Sequence, residues 1–223
     1  MNKRILAAAR SGDVDTLRDC INKGAEANCK DVDYLGRTPL HIAAMTGQTE
    51  VAYLLLKAGA SHSVMDKEGE TPLHTAIENS RGKVGDLLLK AGSSLSEMDY
   101  LGRTPLHTAA KHGCTEVVDL LLKAGATLSV VDNASWTPLH TAVIHGLTEV
   151  VDLLIKAGVT LSVVDKAGWT PLHIAALTGH TEVADLLLKA GASHSVMDKD
   201  VIKPSVKLRK SNIKHFKLRQ TVS

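Results

Sequence analysis

The sequence predicts an all-α fold built from a repeated helix-turn-helix unit, and three observations indicate it. The tetrapeptide Thr-Pro-Leu-His occurs five times at a constant interval of 33 residues, beginning at Thr38, Thr71, Thr104, Thr137 and Thr170. Each copy opens a short apolar stretch at helical spacing, and glycines separate these stretches. Aromatic residues make up only 3% of the 223 residues, which suits thin helical layers packed through small aliphatic side chains.

The unit that starts at Thr104 shows why each element is expected. Thr104 is a suitable N-cap, and Pro105 fits the first helical position, where a missing N–H removes no intrahelical hydrogen bond. Gly113 marks the turn after the first helix. Thr115 is expected to cap the second helix, which covers residues 117–124 and is closed by a glycine. A single unit cannot bury both of its helices, so its stability must come from neighbouring units.

These units resemble the ankyrin repeat, a β-turn followed by two antiparallel helices, and the resemblance extends from Asn2 to Lys199. It implies an all-α ankyrin-repeat solenoid of helix-turn-helix units with projecting β-hairpin turns and about six repeats. The expected domain covers residues 1–199. It comprises an N-terminal capping repeat at about 2–31 and repeats at about 35–67, 68–100, 101–133, 134–166 and 167–199.

Three irregularities carry further expectations. The hairpin before the first motif is two residues longer than the next one, which predicts an enlarged turn around residues 31–33. In the following unit Ser80 replaces the glycine between the helices, and Gly85 lies inside the second helix. An exposed glycine inside a helix costs about 1 kcal/mol relative to alanine, so we expect this unit to be the weakest joint. Ser135 replaces a hairpin glycine and is expected to have a positive φ.

The histidines and cysteines do not form a recognisable catalytic or metal-binding pattern. Five of the eleven histidines belong to the repeated motif, and the resemblance implies that each of these hydrogen-bonds to a neighbouring backbone. Without HExxH or paired Cys and His, a zinc site is not expected, nor is any other metal or cofactor. Because no phosphate-binding loop or GxSxG is present, we predict a protein that is not an enzyme and has no small-molecule substrate.

The cysteines and the apolar runs indicate where the protein is located. The three cysteines, Cys20, Cys29 and Cys114, are odd in number and lack CxxC spacing, which favours a reducing compartment. The apolar run near the N-terminus is too short for a signal peptide, and no stretch approaches the roughly 20 apolar residues of a membrane span. We therefore expect the protein in the cytoplasm or the nucleus.

The C-terminal segment differs in charge from the rest of the chain. Residues 199–223 contain eight Lys or Arg and one acid, a net charge of +7, which leaves −5 for residues 1–198. Residues 200–223 are interpreted as a basic tail or an eroded capping half-repeat. Binding to an anionic membrane or nucleic acid is an alternative, as is a weak nuclear import signal.

The resemblance implies that a protein partner binds the concave surface made by the hairpins and the exposed side of the first helices. Four of the six aromatic residues fall on hairpins, and aromatics are enriched at binding hot spots. The candidate contact residues are Tyr34, Arg37, Met45, Tyr100, Arg103, Lys111, His112, Trp136, Ile144, His145, Trp169 and Leu177.

Two interpretations of the tryptophans remain open. Trp136, Ile144, Trp169 and Leu177 can form an apolar binding patch, or each tryptophan can pack on its neighbouring hairpin. The sequence therefore predicts a non-catalytic, monomeric scaffold or adaptor for a protein partner. The alternative is a regulatory or effector protein that its basic tail targets to an anionic membrane, nucleic acid or the nucleus.

Overall fold

A computed structural model describes residues 1–195, and within them the chain forms twelve helices and no strand. The chain falls into two compact units, one of residues 1–127 and one that begins at Leu128. The predictions for the basic tail lie outside the described residues. No helix in the described part is long and apolar enough to cross a membrane.

The helices come in consecutive pairs, as the repeat predicts. The first unit contains α1 (Asn2–Ser11) with α2 (Val14–Asn22), α3 (Pro39–Thr46) with α4 (Thr49–Lys57), α5 (Pro72–Glu78) with α6 (Gly82–Lys90), and α7 (Pro105–His112) with α8 (Thr115–Lys123). The second unit contains α9 (Pro138–Ile144) with α10 (Thr148–Lys156), and α11 (Pro171–Thr178) with α12 (Thr181–Lys189). Within each unit first helices pack on first helices and second helices on second helices. The predicted all-α repeat fold is confirmed.

The Thr-Pro-Leu-His motif builds the start of every first helix after the capping pair. The backbone N–H of Thr38 donates to Nδ1 of His41 over 3.2 Å, and the backbone N–H of His41 donates to Oγ1 of Thr38 over 3.4 Å. This reciprocal cap is present at all five motifs, each with proline in the first turn. The predicted roles of threonine and proline are therefore confirmed.

Within each unit, the motif histidine also links one repeat to the next. Nε2 of His41 lies 3.0 Å from the carbonyl oxygen of Glu70, and Nε2 of His74 lies 3.1 Å from that of Arg103. In the second unit His140 makes the same contact with Trp169 over 3.2 Å. Because Nδ1 accepts from the threonine N–H, Nε2 carries the ring proton and donates. The expected hydrogen bond to a neighbouring backbone is confirmed.

The second helices begin differently from the prediction. Thr115 is not the N-cap of α8 but its first residue, and the cap position belongs to Cys114. Side chains at this cap position reach back to a carbonyl of the preceding repeat. Arg81 Nε donates to Met45 over 3.2 Å, Cys114 Sγ to Ile77 over 3.6 Å, and His180 Nε2 lies 3.3 Å from Ile144. These contacts satisfy carbonyls at the C-terminal ends of first helices, which lack intrahelical partners.

The enlarged first turn and Ser135 behave as the sequence predicts. The backbone N–H of Asp31 donates to the carbonyl of Arg37, whereas that of Asp66 donates to Glu70, so the first turn is two residues longer. Ser80 and Ser135 have φ values of 55° and 64°, and Leu35, which was not anticipated, has a φ of 55°. A side chain at positive φ is strained relative to glycine.

We predict that α6 exchanges its amide hydrogens faster than α4 and α8, and that Gly85→Ala slows the exchange in α6. Gly85 is buried, and a Cβ built on it meets no atom within 4 Å, so a methyl group fits without displacing a neighbour. The substitution should raise the free energy of unfolding by about 1 kcal/mol, because alanine loses less backbone entropy in a helix than glycine. Urea unfolding and hydrogen exchange measure both effects.

Gly59→Ala is the matched control for this substitution. A Cβ on Gly59 also has open space around it, but its φ is +84°, where alanine is strained. We therefore expect Gly59→Ala to destabilise the protein. Equal stabilisation by both substitutions would show that backbone conformation is not the cause.

Candidate protein-binding surface

The position immediately before each motif has a fixed backbone and a variable side chain. The carbonyls of Glu70, Arg103 and Trp169 each accept the hydrogen bond from the motif histidine of the preceding repeat. Arg37 and Trp136 occupy the same position in their repeats. In all five repeats the carbonyl at this position also accepts a hydrogen bond from the backbone N–H of a hairpin aspartate, so the backbone is held while the side chain varies.

Arg37 lies inside the first unit and joins its first two hairpins. Its Nε lies 3.0 Å from Oδ2 of Asp66, and its Nη2 lies 3.3 Å from Oε2 of Glu70. Its third nitrogen donates to the sulfur of Met45 over 3.4 Å. Arg37 is 6% exposed, so a partner could reach little of its guanidinium. The sequence predicts Arg37 as a partner contact because it lies on a hairpin, but its burial leaves little surface for such a contact.

The acidic residues around Arg37 outnumber the cation. Carboxylate oxygens of Asp66, Glu68 and Glu70 lie within 4.8 Å of one another, close enough to share one cation, and the cation placed among them is the Arg37 guanidinium. Burial raises the pKa of Glu70 to about 7, and the charges of Glu78 and Asp66 add to this effect. Asp66 and Glu70 are buried and Glu68 is exposed, so the charged form of Glu70 is disfavoured both by burial and by nearby carboxylates.

The other candidates of the first unit are more accessible. Tyr100 is 67% exposed and Tyr34 is 43% exposed, with the Tyr34 ring 5.2 Å from the guanidinium carbon of Arg10. Arg103 is half-buried and pairs with Asp99 in its own hairpin over 2.6 Å. Met45 and Lys111 are half-buried, and His112 is exposed.

In the second unit, both tryptophans are half-buried. Nε1 of Trp136 donates to Oδ2 of Asp165 over 3.1 Å, which ties the indole to the following hairpin. Asp165 also accepts the backbone N–H of Trp169 over 2.9 Å. This hydrogen bond supports the interpretation that Trp136 packs on its neighbouring hairpin. Leu177 is 50% exposed, His145 is exposed, and Ile144 is half-buried.

The chain is similar to known proteins over most of its length. A family model described as "Ankyrin repeats (3 copies)" matches residues 5–99, 65–132, 86–165 and 128–198. Among solved structures, the ankyrin repeat domain of Bcl-3, described as a unique member of the IkappaB protein family, matches with a TM-score of 0.84. That match has 30% sequence identity and covers 92% of each chain.

Two curated mouse proteins are similar over shorter segments. GA-binding protein subunit beta-2 is 40% identical over 67 residues, which is 30% of this chain and 16% of that protein. The 60 kDa lysophospholipase is 46% identical over 54 residues, 24% of this chain and 9% of that protein. The matched segments therefore span less than a fifth of either relative.

The raised pKa of Glu70 predicts a pH-dependent stability that Glu70→Gln removes. Between pH 4.5 and about 7 the folded state binds more protons at this site than the unfolded state, so Glu70 lowers stability as pH rises. The free energy of unfolding of the unmodified protein minus that of Glu70→Gln should fall between pH 5 and pH 8, by roughly 1 to 3 kcal/mol. Urea unfolding at several pH values measures the difference.

Burial lowers the pKa of His41 to about 4, which reduces stability as pH falls, but both proteins contain His41 and its contribution cancels in the difference. Glu116→Gln, which removes an exposed carboxyl from α8, is the control and should give no comparable slope. A flat difference for Glu70→Gln would mean that Glu70 is ionised throughout this pH range.

Proposed function

The chain belongs to the ankyrin repeat family, and from this premise we propose that it is a non-catalytic scaffold or adaptor that binds a protein partner. Ankyrin repeats generally mediate protein–protein interaction. The proposed contacts are made by the hairpins and the exposed ends of the first helices in each unit. The observation that carries the proposal is the position before each motif, where hydrogen bonds hold the backbone and the side chain varies among arginine, glutamate and tryptophan.

Exposure of large apolar side chains supports this role. Tyr100 and Leu101 in one hairpin of the first unit are 67% and 57% exposed, and Leu177 in the second unit is 50% exposed. Apolar surface is unfavourable in water, so the free energy falls when a partner covers these side chains. A chain that needed its hairpins only to connect helices would gain nothing from this exposure.

The relatives support a role within an assembly. One similar protein is a subunit of GA-binding protein, and another is described as a member of the IkappaB family. By analogy we infer that this chain acts with other proteins, in the cytoplasm or the nucleus. Its three cysteines are free thiols, which agrees with a reducing compartment. The likeness to the lysophospholipase covers 9% of that protein, so its activity is not transferred to this chain.

We predict that replacing both Trp136 and Trp169 by alanine weakens partner binding by about 2 kcal/mol, or roughly 30-fold in Kd. The melting temperature should fall by only about 2 to 4 °C, because both indoles are half exposed and loss of the Trp136 hydrogen bond to Asp165 costs about 1 kcal/mol. Affinity purification from the native cell with the intact chain identifies the partner, and titration of that partner against both proteins measures the effect.

Tyr53→Ala is the matched control, because Tyr53 is an exposed aromatic residue on α4 rather than on a hairpin. It should leave the affinity unchanged, and removal of residues 200–223 should leave binding largely intact. A large loss of stability in the double tryptophan variant would favour the packing interpretation. Loss of binding only after removal of residues 200–223 would favour the basic tail as the binding element.

A further inference from the structure

Exposed apolar side chains are concentrated on two hairpins of the first unit. Eleven large apolar side chains are exposed in the described residues, and six of them lie between residues 32 and 35 or between 98 and 101. Val32, in the enlarged turn, is the most exposed of these at 76%. Neighbouring exposed apolar residues of this kind mark interaction surfaces more often than single ones do.

An open groove with a volume of about 590 Å³ lies beside these hairpins. Val32, Met65 and Tyr100 provide its apolar lining, and Lys30 and Lys67 provide two ammonium groups. Val32 belongs to the turn that is two residues longer than its counterpart, so one wall of the groove comes from residues that the repeat itself does not require.

Backbone hydrogen bonds hold the hairpins around the groove in place. The N–H of Lys67 donates to the carbonyl of Leu35 over 2.8 Å, and the N–H of Tyr100 donates to that of Glu68 over 3.1 Å. The groove is therefore formed before a partner arrives, and binding need not order its walls.

The ionic groups of the groove leave a positive surplus. Lys30 donates one hydrogen bond, to the carbonyl of Met65 over 3.1 Å, and an ammonium group has three donors. The lining carboxylate, Asp66, is 4% exposed and is paired with Arg37. Lys30 and Lys67 are both exposed. A carboxylate is the group that complements them.

We propose that this groove binds a partner segment in which an acidic residue lies next to an aliphatic or aromatic residue. The carboxylate contacts Lys30 and Lys67 through charge-assisted hydrogen bonds, and the apolar side chain packs against Val32, Met65 and Tyr100. A basic segment would be repelled by Lys30 and Lys67 and would therefore bind the groove more weakly. The proposal rests on the scaffold function and names the chemistry of the segment that the first unit recognises.

A random peptide library displayed on phage, panned against the full-length protein, tests this proposal. Enriched peptides should place Asp or Glu within a few residues of an apolar side chain. Synthetic versions should bind the double variant Lys30→Glu and Lys67→Glu at least tenfold more weakly, and their affinity should fall as salt rises. The control, Lys57→Glu with Lys83→Glu, changes the net charge equally at exposed positions of α4 and α6 and should preserve affinity within twofold.

Three outcomes overturn the proposal: enrichment of basic peptides, no enrichment, or equal affinity for the variant with Lys30 and Lys67 reversed. Circular dichroism confirms that each variant is folded before affinities are compared. Peptides that bind this variant unchanged but lose affinity for the double tryptophan variant would overturn the groove while the scaffold function stands. The scaffold function is tested separately, by affinity purification from the native cell, and it fails if no protein partner is recovered with the intact chain.

Discussion

The hydrogen bond from a motif histidine to the carbonyl before the next motif, which His41, His74 and His140 make within the two units, is the interaction on which the repeat depends. It joins two residues that are 29 positions apart in the sequence. The same imidazole ring also accepts the backbone N–H of the N-cap threonine of its own helix. Burial lowers the pKa of His41 to about 4, and those of His74 and His140 in the same direction, so these rings stay neutral and keep both roles. Cap and inter-repeat contact are thus made by one side chain.

This constraint explains why the residue before the motif can vary. Its carbonyl is held by a hairpin N–H and, at Glu70, Arg103 and Trp169, also by the histidine, while its side chain takes no part in those bonds. In the first unit this freedom is used for ion pairs, since Arg37 reaches Asp66 and Glu70, and Arg103 reaches Asp99. In the second unit the same position holds tryptophan. Equivalent positions in a repeat therefore make different contacts, and recognition of a partner by the tryptophans is the role that we propose for them.

The first unit combines two kinds of surface around its hairpins. Around Arg37, the buried Asp66 and Glu70 outnumber the cation, and burial, together with the charges of Glu78 and Asp66, raises the pKa of Glu70. Beside this buried cluster, Lys30 and Lys67 face an open groove with apolar walls. The two regions meet at Asp66, whose carboxylate lines the groove and pairs with Arg37. Because Arg37 neutralises Asp66, the exposed Lys30 and Lys67 give the groove its net positive charge.

The sequence by itself determined the helices, the caps of the first helices and the positive φ of Ser135, because these follow from local chain geometry repeated at a fixed period. Only the tertiary structure showed that Arg37 is buried, that Cys114 caps α8 in place of Thr115, and that cap residues such as Arg81 contact the preceding repeat. Those contacts join different repeats across distances that a one-dimensional pattern does not encode. The 33-residue period specifies which positions of a repeat face the adjacent repeat. The way in which adjacent repeats pack in three dimensions decides which of their atoms come into contact.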